Sequence, residues 1–227
     1  MDIRNADNAI LTRELMDRAI MQIASSIPAV VESFDSSTMT IEATPAIDMK
    51  TYIDEEIQFL RMPKIIRIPI LCYGGGGFYH TIPIQKGDYC LLCFSQRAID
   101  NWHDKGGFQI PNDEEGSRHH DLTDAFALFS PFPLPVVLPN YSETAMELRN
   151  TTGGVKISLT SDTITIMNSA TVVTVANNGT VTVTGDITAT GNMADMVGTM
   201  ADIRTAYNSH THSETGSTTS APTPLME

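Results

Sequence analysis

The stretch from Val155 to Thr190 constrains the fold most, because it alternates small polar residues with β-branched ones over four short runs. The runs are VKISLT, DTITIMN, TVVTVAN and TVTVTGDITATG, and turn residues such as Asn177-Asn178-Gly179 separate them. Alternation with a period of two predicts short β-strands. So few apolar residues cannot form a globular core within one chain. We therefore expect this stretch to bury one face against copies of itself, as an intertwined β-prism or β-helix without exposed edges.

The preceding region, from Ile27 to about Pro139, predicts a small barrel or sandwich of short strands. Its β-type runs are IPAVVESFD, TMTIEATPAI, KIIRIPILCY, FYHTIPI and DYCLLCF, with Gly and Pro breaks between them. The run Gly74–Gly77 leads into another strand rather than a helix with Lys-Ser/Thr, so it predicts a flexible turn and not a phosphate loop. The prolines from Pro131 to Pro139 predict an extended linker that closes the domain.

The first residues predict a helix, because apolar side chains recur at three- and four-residue spacing between Asn5 and Ile27. Pro28 lies just past its predicted end. Such a helix packs either on a partner chain or on its own domain, and the pattern alone favours neither.

The three cysteines and the adjacent histidines His119 and His120 are poor candidates for a disulfide framework or a metal site. Cys72, Cys90 and Cys93 make an odd count, which argues against a disulfide framework, and we expect all three in the core in reduced form. Cys90 and Cys93 lie three residues apart on a predicted strand, so their thiols face opposite sides and suit a shared zinc poorly. His119 and His120 are adjacent, their side chains diverge, and they predict a solvated loop.

The charge balance excludes one class of function. The formal net charge is −13, from 14 Lys and Arg against 27 Asp and Glu, and such a surface repels nucleic acid phosphates. No stretch approaches the roughly 20 apolar residues of a membrane-spanning helix. The first ten residues are polar and lack the apolar region of a signal peptide, so we expect synthesis and folding in the cytoplasm.

Near the end of the chain, His210 and His212 form an H-x-H pair, after a stretch that predicts a short helix or, alternatively, a last strand over residues 193–207. On an extended chain, residues i and i+2 project to the same side. If three chains converge on a threefold axis, six imidazoles meet, enough for an octahedral ion. Six nitrogens favour iron, with nickel as the rival, whereas zinc prefers four ligands. The alternative is that both histidines are solvated residues of the tail and bind no metal ion.

The tail also carries the features of a known family. His210-Thr211-His212 is followed by Gly216-Ser217-Thr218, Pro222 and Met226, and the FYHTIPIQKGDYCLLCF run contributes Pro83, Gly87 and Asp88. These residues resemble the central spike proteins of contractile-tailed bacteriophages, the membrane-piercing proteins of the baseplate. In that family an OB-fold barrel precedes a triple-stranded β-helix, and the chain ends in an iron-binding apex with an H-x-H pair from each of three chains.

The resemblance implies a mainly β fold in four parts. These are a helical segment (1–26), an OB-fold barrel (27–139), a trimeric β-helix shaft (140–192) and an apex with the metal site (193–227). It also implies a homotrimer in the virion tail baseplate, in contact with hub and tube proteins, that pierces the host outer membrane. One structural iron per trimer would bind His210 and His212 of each chain. We expect no small-molecule substrate and no enzymatic activity, since no lysozyme-sized insert follows the barrel.

Two other functions stay open on the residues alone. A receptor-binding tail fibre is also a β-rich trimer, although fibres usually end in a larger globular tip. A metal-dependent enzyme would need a third ligand and an open coordination position. Glu214, two residues after His212, could be that ligand in an H-x-H-x-E set.

Overall fold

The structure is a computed structural model that describes residues 3–21, 23–53, 56–112 and 118–226. The chain is mainly β and divides into two compact units, residues 1–137 and residues 138–227. Among the described residues, every helix is too short or too polar to span a lipid bilayer.

The first element is helix α1 (Ile3–Met21). The predicted helix ran on to residue 27, but Ser26 already begins a strand, because the residues from Ser26 onward pair with a neighbouring strand instead. Five apolar side chains of α1 are more than half exposed: Ile10, Leu11, Leu15, Met16 and Ile20. In the described residues this helix therefore does not cover its own domain with its apolar face.

The first unit contains nine strands in its described residues and one more helix. In chain order they are β1 (Ser26–Asp35), β2 (Thr40–Pro45), β3 (Met49–Ile53), β4 (Glu56–Leu60), β5 (Ile65–Pro69), β6 (Tyr73–Gly75), β7 (Phe78–His80), β8 (Tyr89–Phe94), α2 (Asp100–Lys105) and β9 (Ala125–Phe129). Five strands form one antiparallel sheet in the order β5-β2-β1-β8-β9. The pairs β3–β4 and β6–β7 are separate two-stranded hairpins.

The five-stranded sheet curls so that its two outer strands approach each other. A parallel bridge joins Ile70, just after β5, to Ala127 of β9, and the Leu71 N–H donates to the Ala127 carbonyl at 3.0 Å. A bulge in β1 between Val31 and Ser33 bends the strand. The alternating residues of the sheet bury one apolar core, which includes Ile41 and Leu92. The result is a half-barrel sheet, and its strand order is compatible with the predicted OB-fold.

The second unit begins with five strands that form an antiparallel meander in chain order. They are β10 (Met146–Arg149), β11 (Lys156–Leu159), β12 (Thr163–Met167), β13 (Val172–Ala176) and β14 (Val181–Thr184). The last predicted run continued to residue 190, but β14 ends at Thr184. Gly185 follows with φ of 123°, a backbone conformation that side chains rarely adopt and that ends the strand. A single chain thus forms an open sheet, and the three-chain β-helix stays a prediction.

The unit ends with helix α3 (Met200–Ser209) and a small hairpin of β15 (Ser213–Glu214) and β16 (Ser217–Thr218). The helix starts at Met200 because Thr199 and Asp202 form a capping box, in which each side chain accepts the other residue's backbone N–H. Met193 and Met196, which fit the predicted helical spacing, lie before this cap. The Asp195 carboxylate accepts the N–H groups of Val197 and Gly198 and makes a turn there instead.

Candidate self-association face and histidine apex

The meander sheet of the second unit has one face that is entirely apolar. Its register aligns two rows of side chains across all five strands. The first row is Met146, Leu159, Ile164, Val175 and Val181, and the second is Leu148, Ile157, Ile166, Val173 and Val183. We call these ten residues the apolar shaft face. Direct cross-strand neighbours point to the same side of a sheet, so the rows make one continuous surface.

The apolar shaft face is exposed in a single chain. Eight of its ten side chains are between 39% and 68% exposed, and Val173 and Val183 are partly covered. An antiparallel sheet normally turns its apolar face to the core and its polar face to water. Burying a Val, Ile or Leu side chain stabilises by about 1.5–3 kcal/mol, so half-exposed side chains leave roughly 1 kcal/mol each unrealised. The whole face therefore offers on the order of 10 kcal/mol per chain to a partner that covers it.

The opposite face of the same sheet is polar and better covered. Its rows contain Glu147, Ser158 and Thr165 among others, and Ser158 is buried. The Glu147 carboxylate, itself nearly buried, accepts hydrogen bonds from Lys156 Nζ at 2.5 Å and Arg149 Nη1 at 3.4 Å. The Lys156 ammonium, through this hydrogen bond, holds the pKa of Glu147 below its ordinary value. The charges of Glu147, Lys156 and Arg149 on this face are thus paired within the chain, whereas the apolar shaft face is left exposed.

The histidine pair lies directly after helix α3. His210 has an extended backbone, with φ of −70° and ψ of 144°, so the chain leaves the helix at this residue. The His210 and His212 rings lie on the same side as predicted, with centroids 5.3 Å apart and planes at 89°. His210 Nδ1 lies 2.6 Å from the Tyr207 carbonyl oxygen, which accepts its N–H. That hydrogen bond leaves the Nε2 lone pair of His210 as the one that could bind a metal ion.

Hydrogen bonds fix the position of the backbone next to the histidine pair. The His212 backbone N–H donates to Thr219 Oγ1 at 2.8 Å, and the His212 carbonyl accepts the Thr219 N–H at 2.9 Å. Beyond the small hairpin, the tail returns to the end of α3. There the Asn208 side chain donates to the Met226 carbonyl at 3.0 Å and accepts the Met226 N–H at 2.8 Å. The backbone around the histidines is therefore tied at both ends of the tail.

One chain alone does not assemble a metal site in the part that the structure describes, since no three His, Cys, Asp or Glu side chains come together there. In particular, the Glu214 carboxylate accepts a hydrogen bond from Ser217 Oγ at 3.4 Å and does not complete a three-ligand group with the histidines. The H-x-H-x-E set of the enzyme hypothesis stays a prediction. A site shared between chains stays a prediction, and two available imidazoles per chain are the donors it requires.

The other candidate residues lie in the first unit. Cys90 is buried, and burial raises the pKa of its thiol to about 11. Cys93 is half-buried on the opposite face of β8, and all three cysteines are free. The prediction of three core cysteines was wrong for Cys72, which is exposed because it lies in the connection between β5 and β6, outside the five-stranded sheet that forms the core.

The predicted solvated histidine loop is correct for His119 only. His119 is exposed, but His120 is half-buried, and its Nδ1 atom is buried without a hydrogen-bond partner. The His120 backbone N–H donates to the Ser95 carbonyl at 3.2 Å, and this contact draws the residue against the end of β8. The loop is therefore partly packed on the barrel.

The same loop contains a charged cluster that was not predicted from the sequence. The Arg118 guanidinium donates to both carboxylate oxygens of the fully buried Asp124, at 2.6 and 2.8 Å, and to Asp100 at 2.6 Å. The Ile99 N–H also donates to Asp124, at 3.0 Å. The carboxylate of Asp124 raises the pKa of Arg118 above its ordinary value. The cluster ties the long connection between β8 and β9 to the barrel, and no local motif marks it.

Replacing Asp124 with alanine is expected to lower the free energy of unfolding of the first unit by about 3 kcal/mol, because it removes the buried acceptor of two hydrogen bonds from Arg118 and of one from the Ile99 N–H, although Arg118 keeps its ion pair with Asp100. Asp104→Ala is the matched control. Asp104 also pairs with an arginine, Arg67, at 2.5 Å, but both side chains are more than half exposed, so the loss should stay under about 1 kcal/mol. Urea denaturation compares the two variants, and equal losses would contradict the structural role of the cluster.

Comparison with known proteins relates the first unit to phage proteins. Residues 27–130 match a protein-family model described as the phage protein Gp138 N-terminal domain. No curated protein sequence matches the chain. The matched residues run from β1 to β9, so the first unit is similar to a phage-protein domain, which supports a phage structural protein and a component of the virion. The apolar shaft face and the histidine apex lie outside the matched residues.

Proposed function

We propose that this chain is a structural tail protein, the homotrimeric central spike of a contractile phage baseplate, which pierces the host outer membrane during infection. The match of the first unit to a phage-protein domain supports the viral context. The exposed apolar shaft face supports the trimer, and it is the observation on which the proposal depends most.

Three copies of the meander sheet can enclose their apolar faces around a common axis. Each face then becomes the wall of a closed prism, and the polar faces with Glu147 and Lys156 turn outward. Closure also pairs the free edges of β10 and β14, which would otherwise invite uncontrolled association. Such a shaft resists axial load because its contacts join separate chains along its length. Load-bearing of this kind suits a part that is driven through a membrane when the tail contracts.

The barrel is proposed to be an OB-fold that attaches the spike to the baseplate hub and tail tube. The strand order β5-β2-β1-β8-β9 and the parallel bridge between Ile70 and Ala127 support this assignment. The net charge of −13 argues against a nucleic acid ligand for this OB-fold.

The apex is proposed to bind one iron ion per trimer through His210 and His212 of each chain. Six neutral imidazoles fill an octahedral coordination sphere, so no position stays open for a substrate. The ion would supply structural cross-linking only. The chain's own part is to present the two rings on one side, with His210 Nε2 directed away from the bonded Tyr207 carbonyl. Two copies would offer four imidazoles, a set that suits tetrahedral zinc instead.

Removing residues 140–227 tests which part drives assembly. The remaining chain is expected to fold as a barrel and to associate only weakly, because it has lost the apolar shaft face. Sedimentation over a range of concentrations measures the association, with the full-length protein as control. A tight trimer of the truncated chain at nanomolar concentration would assign assembly to the barrel and contradict the role given to the shaft.

A further inference from the structure

The hairpin β6–β7 presents aromatic side chains beside a tight two-residue turn. Gly76 and Gly77 form its two-residue loop with φ of 59° and 88°, the backbone that a tight hairpin turn of this length requires. At Gly74 an added Cβ would meet the Tyr79 ring at 2.3 Å, so this ring lies directly over the glycine. Phe78, at the tip, is 83% exposed. The four glycines therefore form a turn between two strands, as predicted from the sequence, and the turn is a tight hairpin.

An apolar groove of about 700 Å³ lies beside the base of this hairpin. It is lined mainly by apolar side chains, which include Phe34, Met39, Ile70, Ile84, Leu128 and Phe129. Phe34, Ile70, Ile84 and Phe129 pack against the barrel core, so the floor of the groove is continuous with that core. Met39 and Leu128 are more than 40% exposed and form an open rim. The volume of the groove is larger than that of a single aromatic side chain, so one such side chain fits into it.

The chain does not fill the groove with its own hairpin tip. Tyr73, Gly74 and His80, at the hairpin base, form part of the wall, whereas Phe78 does not line the groove. The same unit thus carries an exposed aromatic projection and an apolar depression that it cannot fill itself. A cyclic trimer needs this combination, because its contacts are head-to-tail and join two different surfaces of each subunit.

We propose that Phe78 of each subunit inserts into the barrel groove of the neighbouring subunit, so that three hairpins close a ring around the trimer axis. This inference rests on the proposed trimer. The shaft tethers the three barrels, so their local concentration reaches the millimolar range, and a contact too weak to hold separate barrels together can still form. A second copy is the occupant because the chain itself carries both complementary surfaces.

Photo-cross-linking of the full-length protein tests the contact. Phe78→p-benzoylphenylalanine keeps an aromatic ring at the tip. On irradiation, its ketone takes a hydrogen atom from a nearby C–H bond, and the two carbon radicals join, which converts the ketone to an alcohol. We expect covalent dimers and trimers on denaturing gels, with the label mapped by mass spectrometry to groove residues around Met39, Ile70 and Leu128 of another chain.

Two controls make the result specific. The same replacement at Phe108, which is fully exposed on another loop, should give no cross-link to the groove. Adding Leu128→Asp to the Phe78 variant puts a charge on the groove rim and should lower the cross-link yield about tenfold or more, while the shaft keeps the protein trimeric. A trimer whose Phe78 label reaches no groove residue of a neighbour would overturn this inference and leave the proposed function intact. A monomer in solution would overturn both.

Discussion

Ile166→Asp is expected to convert the protein from trimers to monomers at micromolar concentration. Ile166 lies on the central strand of the apolar shaft face, between Ile157 and Val173. In a closed trimer, three introduced carboxylates would face a shared apolar interior without partners. Burying a charge there costs several kcal/mol per chain, and each 1.4 kcal/mol weakens association tenfold. Light scattering coupled to size-exclusion chromatography measures the change in mass.

Thr165→Asp is the matched control, one residue away on the same strand. Thr165 belongs to the opposite, polar face, aligned with Ser158 and Thr174. The same charge is introduced, but it meets water or polar groups, so the trimer should persist. If both variants stay trimeric, or both dissociate, the alternation of faces does not determine assembly and the shaft account fails.

Loss of both apex histidines is expected to remove the metal and leave the trimer folded. In His210→Ala/His212→Ala, bound iron should fall from one ion per three chains to none, because every proposed ligand is gone. The shaft should survive, since its apolar rows extend over five strands, whereas the ion joins only the chain ends. Elemental analysis measures the iron, and limited proteolysis should show faster cleavage within residues 209–227 than in the unchanged protein.

His119→Ala serves as the control for the apex, since His119 is an exposed histidine of the first unit and should not affect iron content. An unchanged iron content in the double variant would exclude His210 and His212 as ligands. One ion per chain in the unchanged protein would point instead to separate sites in each subunit.

The sequence predicted the shaft strands well because their signal is local. Alternation of β-branched and polar residues marks β11 to β13 with their turns, and Asn177-Asn178-Gly179 separates β13 from β14. The same-side geometry of His210 and His212 also follows from backbone geometry alone. What alternation could not predict is how the charges of the polar face are paired. The Glu147 carboxylate meets the Lys156 ammonium only once β10 pairs with β11.

Features that depend on contacts between distant parts of the chain could not be predicted from the sequence. Asp124 is buried because Arg118 and the backbone of Ile99 converge on it from a long connection, and no spacing rule brings them together. The end of α1 was placed too late because Ile27 fits the helical spacing but pairs with Leu92 of β8. In both cases a tertiary contact decides the local structure.

The mass of the intact protein in solution tests the central claim most directly. Burial of the apolar shaft face by three copies predicts the mass of three chains, 24.7 kDa each, with no dissociation on dilution through the micromolar range. Light scattering gives that mass without assumptions about shape. A monomer at micromolar concentration would mean that the shaft face stays in water, and it would contradict the spike.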